Sequence, residues 1–347
     1  MWKSGAAALF LGLAAAAVFF FVETRIDFAD TGLEAAVREA LGEPQGPLRS
    51  SQVKKIRVLE AGGRDIRSLE GIENLANLKV LDLVDNRVEC VRPLRHLTKL
   101  EELSLRNNGI TDLAPLGFDA LAELPRLKHL SLRHNVVRFD DAPQVRLSDI
   151  SLLGEFTGLA SLELRDNHIE DIQPLASLVH LETLDISQNP LQGGDLSPLK
   201  GLTRLRFLNL RETGARDLAP LETLRELRYL NLHSNENIQS IKPLENLTGL
   251  EALILRNVPV GGEMEALAGL VNLRRLNLRN CSLTDVTVLG DLMAAGALQD
   301  RREMGIEAQV DLRENPIPRA DRDGMDGYEP VRPYWENIAR REPLELP

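Results

Sequence analysis

The sequence predicts an α/β solenoid: short parallel strands stack into one sheet, preceded by a helical cap and an apolar membrane segment. The first observation behind this prediction is that leucines recur about every 22 residues. The second is composition, because 43% of the residues are hydrophobic but only 4% are aromatic, which indicates an aliphatic core. The third is an uncharged run at the N-terminus.

Residues 1–25 are predicted to form a signal anchor or signal peptide. No charged residue lies between Lys3 and Glu23, and residues 5–22 as a helix would be about as long as a bilayer core is thick. Ala15 and Ala17 offer a cleavage motif, but the bulky run VFFFV directly after them favours an uncleaved anchor. The charge bias favours a cytoplasmic N-terminus, which places the rest of the chain outside the cytoplasm. Cleavage would make the protein secreted.

Residues 26–52 are predicted to form a helical cap. In the stretch DTGLEAAVREALG, Asp30 or Thr31 can cap the start of a helix and Gly42 can end it. The amphipathic helix should cover the first repeat with one apolar face, formed by Leu33, Val37, Ala40 and Leu41.

Residues 53–317 follow the template L-x-x-L-x-x-L-x-L-x-x-N-x-I-x-D-I-x-P-L-x-x. Each L-x-L is predicted to be a short strand with its leucines inward, and a last strand is expected within Val310 to Ile317. One repeat cannot bury its own leucines, so neighbouring repeats must stack into a parallel sheet over a continuous core. The rows begin at Val53, Leu75, Leu97, Leu124, Phe156, Leu178, Leu202, Leu224, Leu247 and Leu270.

The template asparagine is expected to end each strand in a turn and to bond the main chain of the next coil, a coil being one turn of the solenoid. Cys281 replaces it in one row and is predicted to be a buried packing residue, whereas Cys90 should be exposed. Thr213 and Val258 replace it in two others. The asparagines are Asn86, Asn108, Asn135, Asn167, Asn189, Asn235 and Asn315.

Four stretches break the period. GFDALAE before Leu124 is predicted to be a longer outer helix, and residues 138–147 a protruding loop. GDLMAAGALQDRREMG after Leu289 is predicted to be a long helix. Residues 318–347 hold Tyr328, Tyr334 and Trp335 and are predicted to cap the open end of the solenoid; the alternative is a partner-binding tail.

These repeats resemble leucine-rich repeats of the 22-residue class, most closely internalins. The resemblance covers roughly residues 26–317, and IDFADTGLEAAVREALG followed by VKKIRVLEAGGRDIRSLEGIENLANLKVLDL is similar to the internalin cap and first coils. It implies a curved, right-handed, non-enzymatic solenoid on a bacterial surface that binds a protein on its concave sheet. The chain departs from the internalin pattern in its N-terminal membrane segment and in having no LPXTG motif or room for an immunoglobulin-like domain, so host-cell invasion is not inferred.

Each predicted strand presents three outward columns: a leading residue before the L-x-L pair, a central residue within it and a trailing residue after it. Seven of the ten trailing residues are arginine. Flanking acids should neutralise several of them, namely those at Arg165, Arg211 and Arg313, whereas four arginines have no acid on their own strand: Arg106, Arg133, Arg256 and Arg279. The trailing column is Val84, Arg106, Arg133, Arg165, Ser187, Arg211, His233, Arg256, Arg279 and Arg313.

Exposed aromatic residues beside uncompensated arginines are typical of an interface hot spot. The leading column holds Phe207 and Tyr229 on adjacent strands, near the second pair of those arginines. The alternative is that these pairs only stabilise the sheet. The predicted partner-binding residues are Phe207, Tyr229, Ile254, Arg256, Arg275 and Arg279, with Arg211 and His233 at the edge.

Other functions find little support in the sequence. A net charge of −11 disfavours nucleic-acid binding, and no catalytic, nucleotide or metal motif is present, so no enzyme activity, cofactor or small-molecule substrate is expected. We expect a membrane-anchored, extracytoplasmic recognition module that binds a protein or an anionic surface polymer. The alternatives are an envelope scaffold and a repeat protein similar to intracellular phosphatase regulators. Only the membrane segment argues strongly against the last.

Overall fold

A computed structural model describes residues 23–42, 44–122, 124–139, 142–299, 308–317 and 330–331. The apolar segment 5–22 lies outside these ranges, as does most of the tail, including Tyr328, Tyr334 and Trp335. Within the described ranges no helix is both long and apolar enough to cross a bilayer. The membrane segment therefore remains a prediction from the sequence.

The N-terminal end is a small helical layer made of β1 (Arg25–Ile26), α1 (Thr31–Ala40), β2 (Leu48–Arg49) and α2 (Ser50–Val53). β1 and β2 pair antiparallel. Asp30 caps α1, since one carboxylate oxygen accepts from the backbone N–H of Gly32 at 2.8 Å and of Leu33 at 3.1 Å. Its other oxygen accepts from the N–H of Arg67 at 2.9 Å, which ties the cap to the first coil. Burial opposes ionisation of Asp30, but these backbone donors outweigh it and lower its pKa.

The buried face of α1 differs from the predicted one by one position. Leu33 and Val37 are fully buried as expected, but Ala36 lies on the covered face and Ala40 is exposed. Ala40 is the last residue of the helix, where the chain already turns away. Gly42 follows with a φ of 76°, a left-handed conformation that glycine adopts readily at a helix end.

The predicted strands form one parallel sheet of eleven strands within the described residues, in the order β15-β14-β13-β12-β11-β10-β9-β6-β5-β4-β3. Each L-x-L pair turns both leucines inward, and Leu81 and Leu83 are at most 1% exposed. The eleven strands are β3 (Val58–Glu60), β4 (Val80–Asp82), β5 (Glu102–Ser104), β6 (His129–Ser131), β9 (Ser161–Glu163), β10 (Thr183–Asp185), β11 (Phe207–Asn209), β12 (Tyr229–Asn231), β13 (Ala252–Ile254), β14 (Arg275–Asn277) and β15 (Gln309–Asp311). Two more strands, β7 (Val136–Phe139) and β8 (Ala142–Arg146), lie outside this sheet.

The return path of most coils is a single 3₁₀ turn, since a 22-residue repeat leaves room for little more. A proline near the start of several of these turns favours them because its φ is preset. GFDALAE forms only one helical turn, α3 (Asp119–Ala122), rather than a long helix. The 3₁₀ turns are Ile72–Asn74, Arg92–His96, Ser151–Glu155, Gln173–Ser177, Gln192–Gly194, Ser197–Gly201, Ala219–Thr223, Lys242–Leu244 and Met264–Leu267.

The asparagine column is buried and bonds the preceding coil, not the next one as predicted. The side-chain amide of Asn189 donates to the carbonyl of Leu164 at 2.9 Å and accepts from the N–H of Ile169 at 3.0 Å. The turn after each strand leaves such groups outside the sheet ladder, and the asparagine of the following coil satisfies them. At Cys281 the thiol takes over the donor role, bonding the carbonyl of Leu255 at 3.0 Å.

The insertion at residues 138–147 is a hairpin, not the predicted loop. β7 and β8 pair antiparallel, with Val136 opposite Arg146. β-formers on both sides of an Asp-Asp-Ala-Pro stretch explain this outcome. The base of the hairpin is fastened to the next coil, because the Asp166 carboxylate accepts from both Arg146 and His134. Burial opposes ionisation of Asp166, but these two hydrogen bonds lower its pKa.

The C-terminal end begins with α4 (Thr287–Ala294), which starts earlier and ends sooner than predicted. Part of the tail returns to it: Val331 is fully buried, and Pro330 lies so close to Gly290 that a Cβ there would be 2.5 Å from the Pro330 carbonyl oxygen. The tail residues that the structure describes therefore pack on this helix.

Candidate partner-binding face

Parallel pairing in register places equivalent residues of successive coils side by side. Phe207 lies opposite Tyr229, Tyr229 opposite Ala252, and Ala252 opposite Arg275. Phe207, Tyr229, Ala252 and Arg275 therefore lie side by side in the leading column. The spacing between them is that of adjacent strands, about 4.8 Å at the backbone.

Phe207 and Tyr229 form a stacked aromatic pair on the outer surface of the sheet. Their ring centroids are 4.3 Å apart and their planes differ by 4°. Both side chains are half-buried rather than exposed. Burial raises the pKa of Tyr229 to about 12, so its hydroxyl stays protonated at physiological pH. The pair thus offers a flat, neutral, largely apolar surface.

Four trailing-column residues follow each other along the ends of β11 to β14, where backbone bonds continue the ladder: Arg211, His233, Arg256 and Arg279. Arg211 pairs with Glu212 at 2.7 Å and Arg279 pairs with Glu314. Burial, together with Arg211 and Arg256, lowers the pKa of His233 to about 4, so the imidazole is neutral at pH 7. Among the described residues Arg256 is the only arginine of this group without an ion pair, although the pKa of Glu314, which the hydrogen bond from Arg279 lowers, is lowered further by the charge of Arg256.

Two arginines predicted to be uncompensated in fact find an acid on the following coil. Arg279 pairs with Glu314, and Arg133 lies 3.7 Å from Glu163. The own-strand criterion missed these pairs because adjacent strands are as close as neighbouring residues on one strand. Neutralisation by flanking acids is confirmed for Arg211 and for Arg313, the latter through Asp311 at 2.9 Å.

Arg165 is the exception to that neutralisation. Its flanking acids are engaged elsewhere: Glu163 accepts from Ser131, and Asp166 holds the hairpin. The Arg165 guanidinium instead donates to the side-chain oxygen of Gln188 at 2.9 Å.

The central column contains one apolar residue at the middle of the predicted face. In most coils an Asn or Asp there accepts from the backbone N–H two residues later, as Asn231 does from His233 at 3.0 Å and Asn277 from Arg279 at 3.0 Å. Ile254 cannot make this bond and remains partly exposed. Its side chain therefore adds apolar surface between the aromatic pair and the arginines.

A fourth column was missed by the sequence reasoning. The residue just before each ladder asparagine, or its substitute, is left-handed, as at Asp85 with a φ of 57°. These side chains bond each other across coils: Asn280 donates to Asn257 at 3.1 Å, and Asn257 to Ser234 at 3.1 Å. The preference of Asp and Asn for this conformation was the available signal. The column is Asp85, Asn107, His134, Asp166, Gln188, Glu212, Ser234, Asn257, Asn280 and Glu314, with Gly63 at the same position of the first coil.

The outer surface of the sheet has a depression in its N-terminal half. Outward residues of β4, β5, β6 and β9 surround this depression of about 610 Å³. Its lining contains Arg106, Arg133, Glu102 and Glu163. Charges of both signs line it, and it lacks an aromatic pair. Its concavity is consistent with the curved sheet that the sequence resemblance implies.

The described residues contain no group of three or more His, Cys, Asp or Glu side chains arranged to hold a metal ion. Cys281 is fully buried, and burial raises the pKa of its thiol to about 12, which confirms its packing role. Cys90 is partly buried rather than exposed. The face thus offers apolar contact and charged hydrogen bonds.

Comparisons with known proteins agree with this architecture. The family model described as Leucine Rich repeats (2 copies) matches residues 98–143 and 157–201, and the model Leucine Rich Repeat matches residues 272–292. An internalin structure from Listeria monocytogenes is 25% identical with a TM-score of 0.66, covering 84% of this chain and 91% of that one. Internalin C2 from the same species is 31% identical with a TM-score of 0.57, covering 65% of this chain and 93% of that one.

The chain is an internalin-like leucine-rich repeat protein. Among curated relatives, tubulin-specific chaperone E of Xenopus laevis is 32% identical over 39% of this chain, and nephrocan of Mus musculus is 31% identical over 41%. The matches span 27% and 30% of the length of those two proteins. This internalin-like chain therefore shares a repeat module with them, of the type that serves protein interaction.

Proposed function

We propose that this chain is a membrane-tethered, extracytoplasmic recognition module that binds a protein through the concave, solvent-facing side of its sheet. The observation that carries the proposal is the stacked pair of Phe207 and Tyr229 on the same face as Arg256, a guanidinium without an ion pair among the described residues. Aromatic and arginine side chains dominate the binding energy of protein interfaces. An array whose only task was to be a scaffold would not need an unpaired charge beside an apolar platform.

The tether rests on the composition of residues 5–22, which suits a bilayer-spanning helix. Lys3 lies before this segment, whereas Glu23 and Arg25 cancel after it, and this difference in charge favours repeats on the extracytoplasmic side. Protease treatment of intact cells tests the location: trypsin added outside should degrade the repeats. Repeats that resist until the membrane is opened would favour the intracellular alternative.

Partner binding is tested by affinity capture from envelope extracts with the full chain in detergent micelles. We expect a protein retained by the parent to be lost by the Tyr229→Ala/Arg256→Ala variant. The matched control is His129→Ala/Arg133→Ala, which truncates the same two columns on β6. Equal capture by the parent and both variants would support the scaffold alternative, and a captured polysaccharide would support the anionic polymer.

A further inference from the structure

One side of the aromatic pair is open. Phe207 stacks on one face of the Tyr229 ring, and the strand on the other side carries only Ala252 in the same column. Arg275 follows one strand later. Tyr229 and Arg275 are therefore two strand spacings apart, about 10 Å at the backbone, with a single methyl group between them. Ala252 is only 8% exposed, so the side chains on both sides leave a narrow notch above its methyl group. A flat side chain that entered it would stack on Tyr229 at the usual ring separation of about 4.5–7 Å.

The notch lies over the first residue of β13, and Arg256 lies on the chain directly after this strand. Ala252 begins β13, and Arg256 follows four residues later, about 13 Å away in extended chain. Ile254 lies between them and points to the same side, because outward residues alternate. An extended partner segment that ran beside β13 would meet an apolar notch, then an apolar contact, then a guanidinium.

Arg256 is prepared for a carboxylate. Its Nε atom is shielded from solvent and has no hydrogen-bond partner among the described residues, and the same holds for Arg279. The acids nearby are engaged, Glu314 with Arg279 and Glu212 with Arg211. Since Arg256 as a whole is partly exposed, a partner carboxylate has to bind the accessible part of the guanidinium rather than the shielded Nε.

The charge pattern favours a peptide over a polyanion. Glu212, Glu314 and Asp311 interrupt the arginines of this half of the sheet, so a uniformly negative polymer would meet repulsion at regular intervals. A polymer without apolar groups would also leave the Tyr229 platform unused. A segment with one acid and one flat apolar side chain satisfies both features.

We propose that the partner presents an extended segment with an aromatic side chain that enters the notch over Ala252 and an Asp or Glu about four residues away that binds Arg256. This inference rests on the proposed function, since it uses the same face. It specifies the chemistry and the spacing of the partner segment.

The test is selection of random twelve-residue peptides, displayed on phage, against the full chain in detergent micelles, with empty micelles for counter-selection. We expect enriched peptides to contain Trp, Tyr or Phe and an acid three to five positions away. A synthetic copy of an enriched peptide should lose about tenfold or more in affinity when its acid is changed to the amide. Its binding should also weaken as salt is raised, because a charge pair contributes.

Variants of the chain locate the contacts. Ala252→Leu fills the notch and Arg256→Gln removes the charge, and each should weaken binding of the synthetic peptide at least about tenfold, with Arg256→Lys intermediate. Matched controls in the same columns, Ser161→Leu and Arg165→Gln, should change affinity less than about twofold. Circular dichroism and thermal unfolding show that each variant is folded.

Four outcomes would overturn the inference: enrichment of peptides without an acid, affinity unchanged by Ala252→Leu or Arg256→Gln, no enrichment above empty micelles, or competition by polyglutamate as strong as by the peptide. The last would replace the peptide by a polyanion. If envelope capture still depended on Tyr229 and Arg256 while the selection failed, the binding face would stand and only the partner motif would be wrong.

Discussion

Asn235 shows how much one residue of the asparagine column contributes to the solenoid. Its side-chain oxygen accepts from the N–H groups of Thr213 at 3.2 Å and Ala215 at 2.9 Å. Its amide donates to the carbonyl oxygens of Leu210 at 2.8 Å and Leu232 at 2.9 Å. Asn235 is 1% exposed, so water does not replace these bonds when the side chain is removed. Asn235→Ala should leave three buried backbone groups without a partner, since the Leu210 carbonyl keeps its bond from the Thr213 hydroxyl at 2.8 Å.

Each of these groups costs about 1 kcal/mol or more when it is left unpaired. The three together predict a loss of about 3 kcal/mol in the free energy of unfolding, a large part of the 5–15 kcal/mol typical of a folded domain. Asn235→Thr should lose less, because Thr213 holds this position in its own coil and its hydroxyl donates to the Leu210 carbonyl at 2.8 Å.

Urea unfolding of the chain, followed by circular dichroism, measures this loss. Asn246→Ala is the matched control, since Asn246 is exposed and, among the described residues, its side chain donates only to Glu245, at 3.4 Å. We expect the control to change the free energy of unfolding by less than about 0.5 kcal/mol. A loss below about 1 kcal/mol for Asn235→Ala would refute the reasoning, because the backbone groups would then have found other partners.

Three further predictions concern pH, the C-terminal end and the hairpin. The pKa of His233 is about 4 in the folded chain and about 6.5 in the unfolded chain, so between these pH values only the unfolded state binds the extra proton. The free energy of unfolding should therefore fall by about 1–2 kcal/mol as the pH drops from 6.5 to 4. Urea titrations at each pH measure this dependence, and His233→Gln should flatten it. Gly290→Ala should destabilise the chain by about 1–3 kcal/mol, because the new Cβ would collide with Pro330, and it should speed tryptic cleavage of the tail. A gain in stability, which helix propensity alone predicts, would show that the tail does not pack there. Asp166→Asn should release Arg146 and speed hydrogen exchange in β8 with a loss of at most about 1 kcal/mol, whereas unchanged exchange would mean that the hairpin is held by other contacts.

Much of the candidate face was predictable from the sequence. The 22-residue period alone puts Phe207 beside Tyr229 and Arg256 beside Arg279, because parallel strands in register preserve column positions. Charge compensation was not predictable in the same way. Arg279 finds Glu314 thirty-five residues away on the next coil, and an own-strand criterion does not include that acid.

Departures from the repeat were harder to predict than the repeat. Residues 138–147 have no template, so local composition had to choose between a loop and a hairpin, and the fastening of that hairpin to Asp166 depends on a side chain twenty residues later. The direction of the asparagine bonds was equally open. Either neighbouring coil lies within reach of Asn189, and only the stagger of the turns selects the preceding one.

The sequence by itself determined the repeat, the inward leucines, the asparagine column and the column in which each outward residue lies. These follow from short-range periodicity, since a residue two positions along a strand must face the same side. Only the tertiary structure decided which charges are neutralised, that Phe207 and Tyr229 stack within 4° of parallel, and that Arg256 forms no ion pair among the described residues. Those outcomes depend on distances of a few ångströms between residues on different coils, where side-chain reach rather than sequence spacing selects the partner.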